Sequence, residues 1–220
     1  MHSKKKGIIF DKDGTLFDTE TMYNQIWFEM CEEEQYAGLN PDTIWAIKGY
    51  GGQKLVDKMQ ESEPDFNGQE LIDEIFRRGN LRQSQNLPFK PGAMEMIMYA
   101  KEHGFKIAIA SSSTHEQVVQ NMKTAKIDSF VDAIVSGDDI KNGKPAPDSY
   151  LLATQMLELH PEECYAVEDS FHGICSAHTA GCFTILIPDL QKPNETFTPH
   201  YDDMSKDFFE VMEKMKKDII

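Results

Sequence analysis

Asp11 and Asp13 stand one residue apart, directly after the apolar run Gly7-Ile8-Ile9-Phe10. Two carboxylates that close raise each other's pKa and cost free energy. A strand that only has to end could do so without them. A second acidic pair, Glu168 and Asp169, follows Cys164-Tyr165-Ala166-Val167. Ser111, Ser112 and Ser113 follow the run 105–110, and Lys144 lies in Gly143-Lys144-Pro145-Ala146-Pro147-Asp148. Acids, a hydroxyl and a lysine gathered at one place suit work on an anionic group. The acids there need a cation or a metal to reverse their field.

The elements that must position these residues are legible as five short apolar runs, at 7–10, 105–110, 133–135, 164–167 and 182–187. Each from the second onward is preceded by a helical pattern. Strands and helices alternating in this way predict a parallel sheet with helices on both faces. In such sheets ligands bind beyond the carboxyl ends of the strands, which is where every residue named above falls. The first gap is far longer than one crossover needs. Met22, Tyr23, Ile26, Trp27 and Met30 recur in it at helical spacing, with Asp18 placed to cap their helix. Further helical patterns cover 41–48, 52–60 and 68–85, broken by Gly49-Tyr50-Gly51-Gly52. The predicted fold is therefore α/β: a Rossmann-like, doubly wound parallel sheet with an all-helical insert. The core takes 1–16 and 88–220, and the insert takes 17–87. A core helix is expected at 93–103, and a last helix at 204–217 after a polar connection.

The 220 residues carry 22 basic and 37 acidic side chains, a net charge of −15. That balance excludes nucleic acid and anionic membrane as partners, since both need a basic surface. Cys31, Cys164, Cys175 and Cys182 form no C-x-x-C pair and read as buried free thiols of a reducing, cytoplasmic compartment. No segment has the length of a membrane span or the pattern of a signal peptide.

Four ordered motifs, FDKDGTLFD (10–18), IAIASSS (107–113), GKPAPD (143–148) and VEDSFHGI (167–174), give the chain its resemblance. It is similar to the phosphohydrolases of the haloacid dehalogenase superfamily, in the branch with a helical cap inserted after the first motif. Within that branch it resembles β-phosphoglucomutases and phosphoglycolate phosphatase-like sugar-phosphate phosphatases. The resemblance implies that Asp11 is the nucleophile forming an aspartyl-phosphate, and that Asp13 is the general acid and base. Ser111 and Lys144 would hold the transferring phosphoryl group. A Mg2+ ion would be held by Asp11, Asp169, Glu168 and the main-chain carbonyl of Asp13. Lys12 is expected to point away from the two acids by strand alternation, in a structural role. Ser113 fits the start of an S-x-x-E capping box with Glu116, and Asp148 is expected to cap the next helix. Asp138 and Asp139 read as a solvated loop or as a support for the site, and His172 as a surface loop residue.

The insert would serve as the cap that closes over the site and recognises the leaving group. Lys48, Gly49 and Gln53 in its loop, with Ser112 from the core, are the expected substrate contacts. Where β-phosphoglucomutases carry an arginine for a second phosphate, a match anchored on Lys48-Gly49 places Gly52. Where they carry a histidine on the first cap helix, this chain has Tyr23. Together these imply a Mg2+-dependent phosphatase for a small, soluble, sugar-like phosphate, acting as a monomer. A phosphosugar mutase is the alternative. A phospholigand-binding regulator without turnover is a second one, but it would have lost Asp11 or Asp13.

Overall fold

A computed structural model describes residues 4–48, 50, 52–189, 192–217 and 220. In chain order the elements are β1 (Gly7–Phe10), α1 (Thr19–Glu32), α2 (Thr43–Ala46), α3 (Gly52–Ser62), α4 (Gly68–Gln85) and α5 (Ala93–Glu102). They continue with β2 (Lys106–Ala110), α6 (His115–Thr124), β3 (Ala133–Val135), α7 (Asp148–Met156) and β4 (Cys164–Glu168). The last are α8 (Phe171–Ala180), β5 (Phe183–Leu186), β6 (Asp203–Met204) and α9 (Phe208–Lys216).

The sheet runs β3-β2-β1-β4-β5-β6, and every pairing is parallel. The strand alternation sorts side chains between two layers. Ile8 and Phe10 of β1 join Ile107, Ile109, Tyr165 and Val167 beneath α5, α6 and α9. Ile9, Ala108, Ala110 and Ala166 face the other way, beneath α7 and α8. Both faces of the central strands are thus buried, which is why they read as unbroken apolar runs. Each large side chain withdrawn from water there contributes about 2 kcal/mol. This is the doubly wound α/β class that the alternation of runs predicted.

Two details differ from the sequence reading. Residues 203 and 204 form a sixth strand on β5, and the last helix starts at Phe208 with Asp207 as its N-cap. Two residues are too few to produce a strand pattern. The chain also divides one or two residues away from the expected junctions. One compact unit holds Met1–Asp18 and Leu87–Ile220, and the other holds Thr19–Asn86. Phe17, Asp18 and Leu87 therefore stay with the sheet. The Phe17 ring packs on Phe89 at 5.0 Å, the Asp18 N–H donates to the Pro88 carbonyl, and Leu87 is buried in the larger core.

The second unit, α1 to α4, has its own apolar centre around Met22, Ile26, Trp27, Met30, Met59, Leu71 and Ile75. Asn67 caps α4 by accepting from the N–H groups of Gln69 and Glu70. Gly49 and Gly51 of the glycine-bearing break lie outside the described residues.

Candidate active site

The strand order reverses between β1 and β4, so a crevice opens beyond their carboxyl ends. Asp11 follows β1 by one residue, and its N–H continues the ladder onto the Val167 carbonyl at 3.0 Å. Glu168 ends β4 and Asp169 follows it. Oxygens of Asp11, Glu168 and Asp169 all lie within 4.8 Å of one another. Asp11 is far from the other two in the chain and joins them only because β1 pairs with β4.

Lys144 answers part of that charge. Its ammonium donates to Asp11 Oδ1 and to Glu168 Oε1, each at 2.5 Å, and to the Ala110 carbonyl at 3.2 Å. Burial works against its charge, but the two carboxylates outweigh that and keep its pKa above the ordinary lysine value. Asp148 does not cap α7. It is the first residue of that helix, and its carboxylate accepts from the backbone and side chain of Asn142. That closes the loop carrying Lys144.

One cation does not balance two buried acids and a half-buried third. Burial raises the Asp11 pKa to about 7, with Lys144 opposing and Glu168 and Asp13 adding to the rise. Asp169 is raised well above the usual carboxylate range by burial and then by the charges of Asp11 and Glu168, while the Thr15 hydroxyl opposes. A trio of hard oxygen donors under mutual repulsion fits a divalent cation such as magnesium.

Glu168 is wholly buried, and its position is tightly specified. Besides Lys144, it accepts from the Tyr150 hydroxyl at 2.6 Å and the Ser170 hydroxyl at 3.3 Å. Ser170 in turn caps α8. A Cβ on Gly173 would fall 2.0 Å from the Glu168 carboxylate, so only glycine fits there. Gly14 is needed for a different reason. Its φ is +82°, in the left-handed region, and Asp169 Oδ2 would lie 2.6 Å from any Cβ there.

Asp13 is more open than Asp11, and its carboxylate is not part of the acidic trio. Its Oδ2 accepts from the Ser113 hydroxyl at 3.2 Å and lies 3.0 Å from the Lys12 ammonium. Both contacts correct the sequence reading. Lys12 reaches back to Asp13 because the strand has ended at Phe10, so strand alternation no longer applies. Ser113 is not the helix cap: α6 begins at His115, and Thr114 is its N-cap. Ser111 is buried, its N–H donates to the Val135 carbonyl, and its Oγ accepts from the Ser113 N–H at 3.1 Å. Ser112 is exposed.

The remaining expectations fall as follows. Asp138 accepts from the His115 N–H, and Asp139 accepts from the backbone and hydroxyl of Ser136. Both are exposed to solvent, as a solvated loop would be, and both also cap backbone N–H groups. His172 is exposed, but in the first turn of α8 rather than in a loop. In the helical unit, the Lys48 ammonium sits 4.2 Å from the centre of the Trp45 ring. Gln53 is exposed and donates to Asp57, and Gly49 lies outside the described residues. Tyr150 was missed altogether. Its only sequence signal is an aromatic residue soon after the GKPAPD motif. Among the described residues no helix is long and apolar enough to cross a membrane. Cys164 and Cys182 are buried, while Cys31 and Cys175 are half-buried, so burial is only partial for two of the four thiols.

A parallel sheet with carboxylates, a lysine and a hydroxyl at its switch point defines a class before it defines a protein: a Rossmann-like hydrolase acting on an anionic group. The family described as haloacid dehalogenase-like hydrolase matches residues 8–187, and the chain belongs to that family. Several of its relatives are named as phosphatases, among them hexitol phosphatase A of Escherichia coli and the pyrophosphatase PpaX of Bacillus anthracis. It is 30% identical over 208 residues to the protein CbbY of Rhodobacter capsulatus, covering 88% of this chain and 89% of that one. It is 28% identical over 179 residues to a phosphorylated carbohydrates phosphatase of Thermotoga maritima, covering 80% of this chain and 82% of that one. Crystal structures of CbbY from Rhodobacter sphaeroides, one with phosphate and one with xylulose-(1,5)bisphosphate, share the fold. They superpose with TM-scores of 0.71 and 0.70 at 23% identity, covering 94% of this chain and 96% of the other.

Proposed function

We propose that this chain is a Mg2+-dependent phosphatase that hydrolyses a small, sugar-like phosphate monoester through an aspartyl-phosphate on Asp11. The observation that carries this reading is Lys144 bound at once to Asp11 and Glu168, beside Asp169. Asp11, Asp169, Glu168 and the main-chain carbonyl of Asp13 would hold the ion. When bound, it would neutralise the carboxylates and the phosphoryl oxygens they face.

The residues then divide the work. The Asp11 carboxylate attacks phosphorus as the bond to the leaving oxygen breaks. Asp13 gives that oxygen a proton. Asp13 next takes a proton from water, whose oxygen attacks phosphorus and frees the Asp11 carboxylate together with inorganic phosphate. Lys144 and Ser111 hold the transferring group throughout. The helical unit acts as a cap that admits substrate and excludes bulk water, with Lys48, Gly49, Gln53 and Ser112 reading the leaving group. The sugar-like substrate is supported by the relatives, whose names refer to phosphorylated carbohydrates or whose structures hold a sugar bisphosphate.

The test is turnover of p-nitrophenyl phosphate with magnesium and with chelator, followed by a screen of sugar phosphates ranked by kcat/KM. Magnesium-dependent phosphate release is expected. Tight phosphate binding without turnover under either condition would favour a regulator instead. Interconversion of glucose phosphates without release of phosphate would favour the mutase.

A further inference from the structure

Lys12 lies between the two catalytic candidates, and the phosphatase reading gives it no task. It is also one of the most buried side chains in the molecule, at 1% exposure. Its ammonium donates to Asn121 Oδ1 at 2.9 Å and lies 3.0 Å from Asp13 Oδ2. Asn121 stands on α6 and is itself 2% exposed. The same Asp13 oxygen accepts from the Ser113 hydroxyl at 3.2 Å.

As a staple for the fold this arrangement is a poor one. Burying an ammonium costs several kcal/mol, and a well-packed apolar side chain of similar volume often serves stability as well or better. The Asp13 side chain is 38% exposed, so solvent weakens the return from the pair. The arrangement does accomplish something else. An ammonium and a hydroxyl from different parts of the chain converge on one oxygen of Asp13, while among the described residues no donor reaches the other, Oδ1. One oxygen is held and one is left for a ligand.

We propose that Lys12, anchored by Asn121, is a positioning residue for Asp13. It holds the carboxylate in the rotamer from which Oδ1 exchanges a proton with the leaving oxygen. The inference rests on the reading of Asp13 as the proton carrier. Asn121 is part of the device, because an unanchored lysine stem would place its charge at many positions. A preorganised proton donor of this kind matters most where the leaving group is a poor one.

The experiment uses that dependence. Lys12→Met, Asn121→Leu and Asp13→Asn are compared with the parent on phenyl phosphate and on p-nitrophenyl phosphate, the latter having the more acidic leaving group. The readout is kcat/KM, which reports steps up to the first irreversible one. If Lys12 positions Asp13, Lys12→Met and Asn121→Leu lose about 10-fold more on phenyl phosphate than on p-nitrophenyl phosphate. Lys12→Met added to Asp13→Asn then leaves the ratio of the two substrates where Asp13→Asn alone puts it. A purely structural lysine would lower both substrates by one factor. Equal losses in the two variants, alongside a clear substrate split in Asp13→Asn, would overturn the proposal and leave the phosphatase reading intact. Absence of the split in Asp13→Asn would instead remove the proton-carrier role itself. Thermal melts identify any variant that fails to fold, and Asn121→Leu carries the test if Lys12→Met does.

Discussion

The crevice beyond β1 and β4 and the interface between α1 and α4 both join acids to bases, but under opposite conditions. In the crevice, Lys144 is nearly buried between Asp11 and the fully buried Glu168. On the helices, Arg78 pairs with Glu33 and Glu74, and Arg82 with Glu29, at half-buried to exposed positions that water still reaches. The Arg78 hydrogen bond and then the Gln35 bond hold Glu33 down to about 2; Arg77 and then Arg78 do the same for Glu74. Asp11 is pushed the other way by burial, with Glu168 and Asp13 adding against Lys144, and Asp169 by burial and then by Asp11 and Glu168. The helical pairs relieve their carboxylates, whereas the crevice stores repulsion. Stored repulsion destabilises a fold and has a use only where something positive arrives.

The largest effect that can break this comparison is Asp11→Asn. It should lower turnover by about 10⁴-fold or more, yet raise the melting temperature of the magnesium-free protein. The sign follows from linkage. The folded pKa of Asp11, about 7, lies above its unfolded value, so ionised Asp11 costs stability as pH rises from about 4 through 7. At pH 8 the variant should melt about 3 °C above the parent. Equal or lower melting would mean that the crevice stores no repulsion.

Next comes Lys144→Met, which should act in the opposite direction on stability. It leaves Asp11 and Glu168 facing each other with no cation, at a cost of about 3 kcal/mol. Denaturant midpoints without magnesium measure it, and added magnesium should recover part of the loss. Gly173→Ala should follow. Its methyl group lands on the Glu168 carboxylate, which must abandon Lys144 or Tyr150. Activity should fall about 100-fold with the fold retained by circular dichroism. Smallest is Arg78→Met on the helices. Turnover should hold within about twofold, and the melting temperature should move by about 2 °C or less. The stabilisation from Glu33 and Glu74 is present above their unfolded pKa and lost as pH falls towards about 2. The variant and the parent should therefore converge in acid.

The crevice was the more legible of the two regions. Strand ends in a parallel sheet converge by topology, so Asp11, Ser111, Lys144, Glu168 and Asp169 could be placed together from short local motifs. What escaped depends on contacts distant in sequence. The Tyr150 hydroxyl meets Glu168 only because α7 packs across β1, β2 and β3 beside α8. Ser113 and Thr114 each start a plausible capping pattern, with Glu116 and Gln117, and a contact to Asp13 a hundred residues away separates them. The direction of Lys12 was misread because alternation was carried past the end of the strand. β6 is two residues long and is held by its neighbour rather than by its own pattern. The loop around Lys48, proposed above to read the leaving group, has neither a strand end nor a long periodic face, and there the sequence supports little beyond the residue types.

The central claim is that Asp11 carries the phosphoryl group. Acid quench of the enzyme during turnover of p-nitrophenyl phosphate with magnesium, followed by peptide mass spectrometry, tests it directly. The account predicts that the peptide containing Asp11 gains the mass of one phosphoryl group, and that Asp11→Asn does not. Phosphate release at full rate with Asp11 unmodified, or with Asp11→Asn as active as the parent, would contradict it.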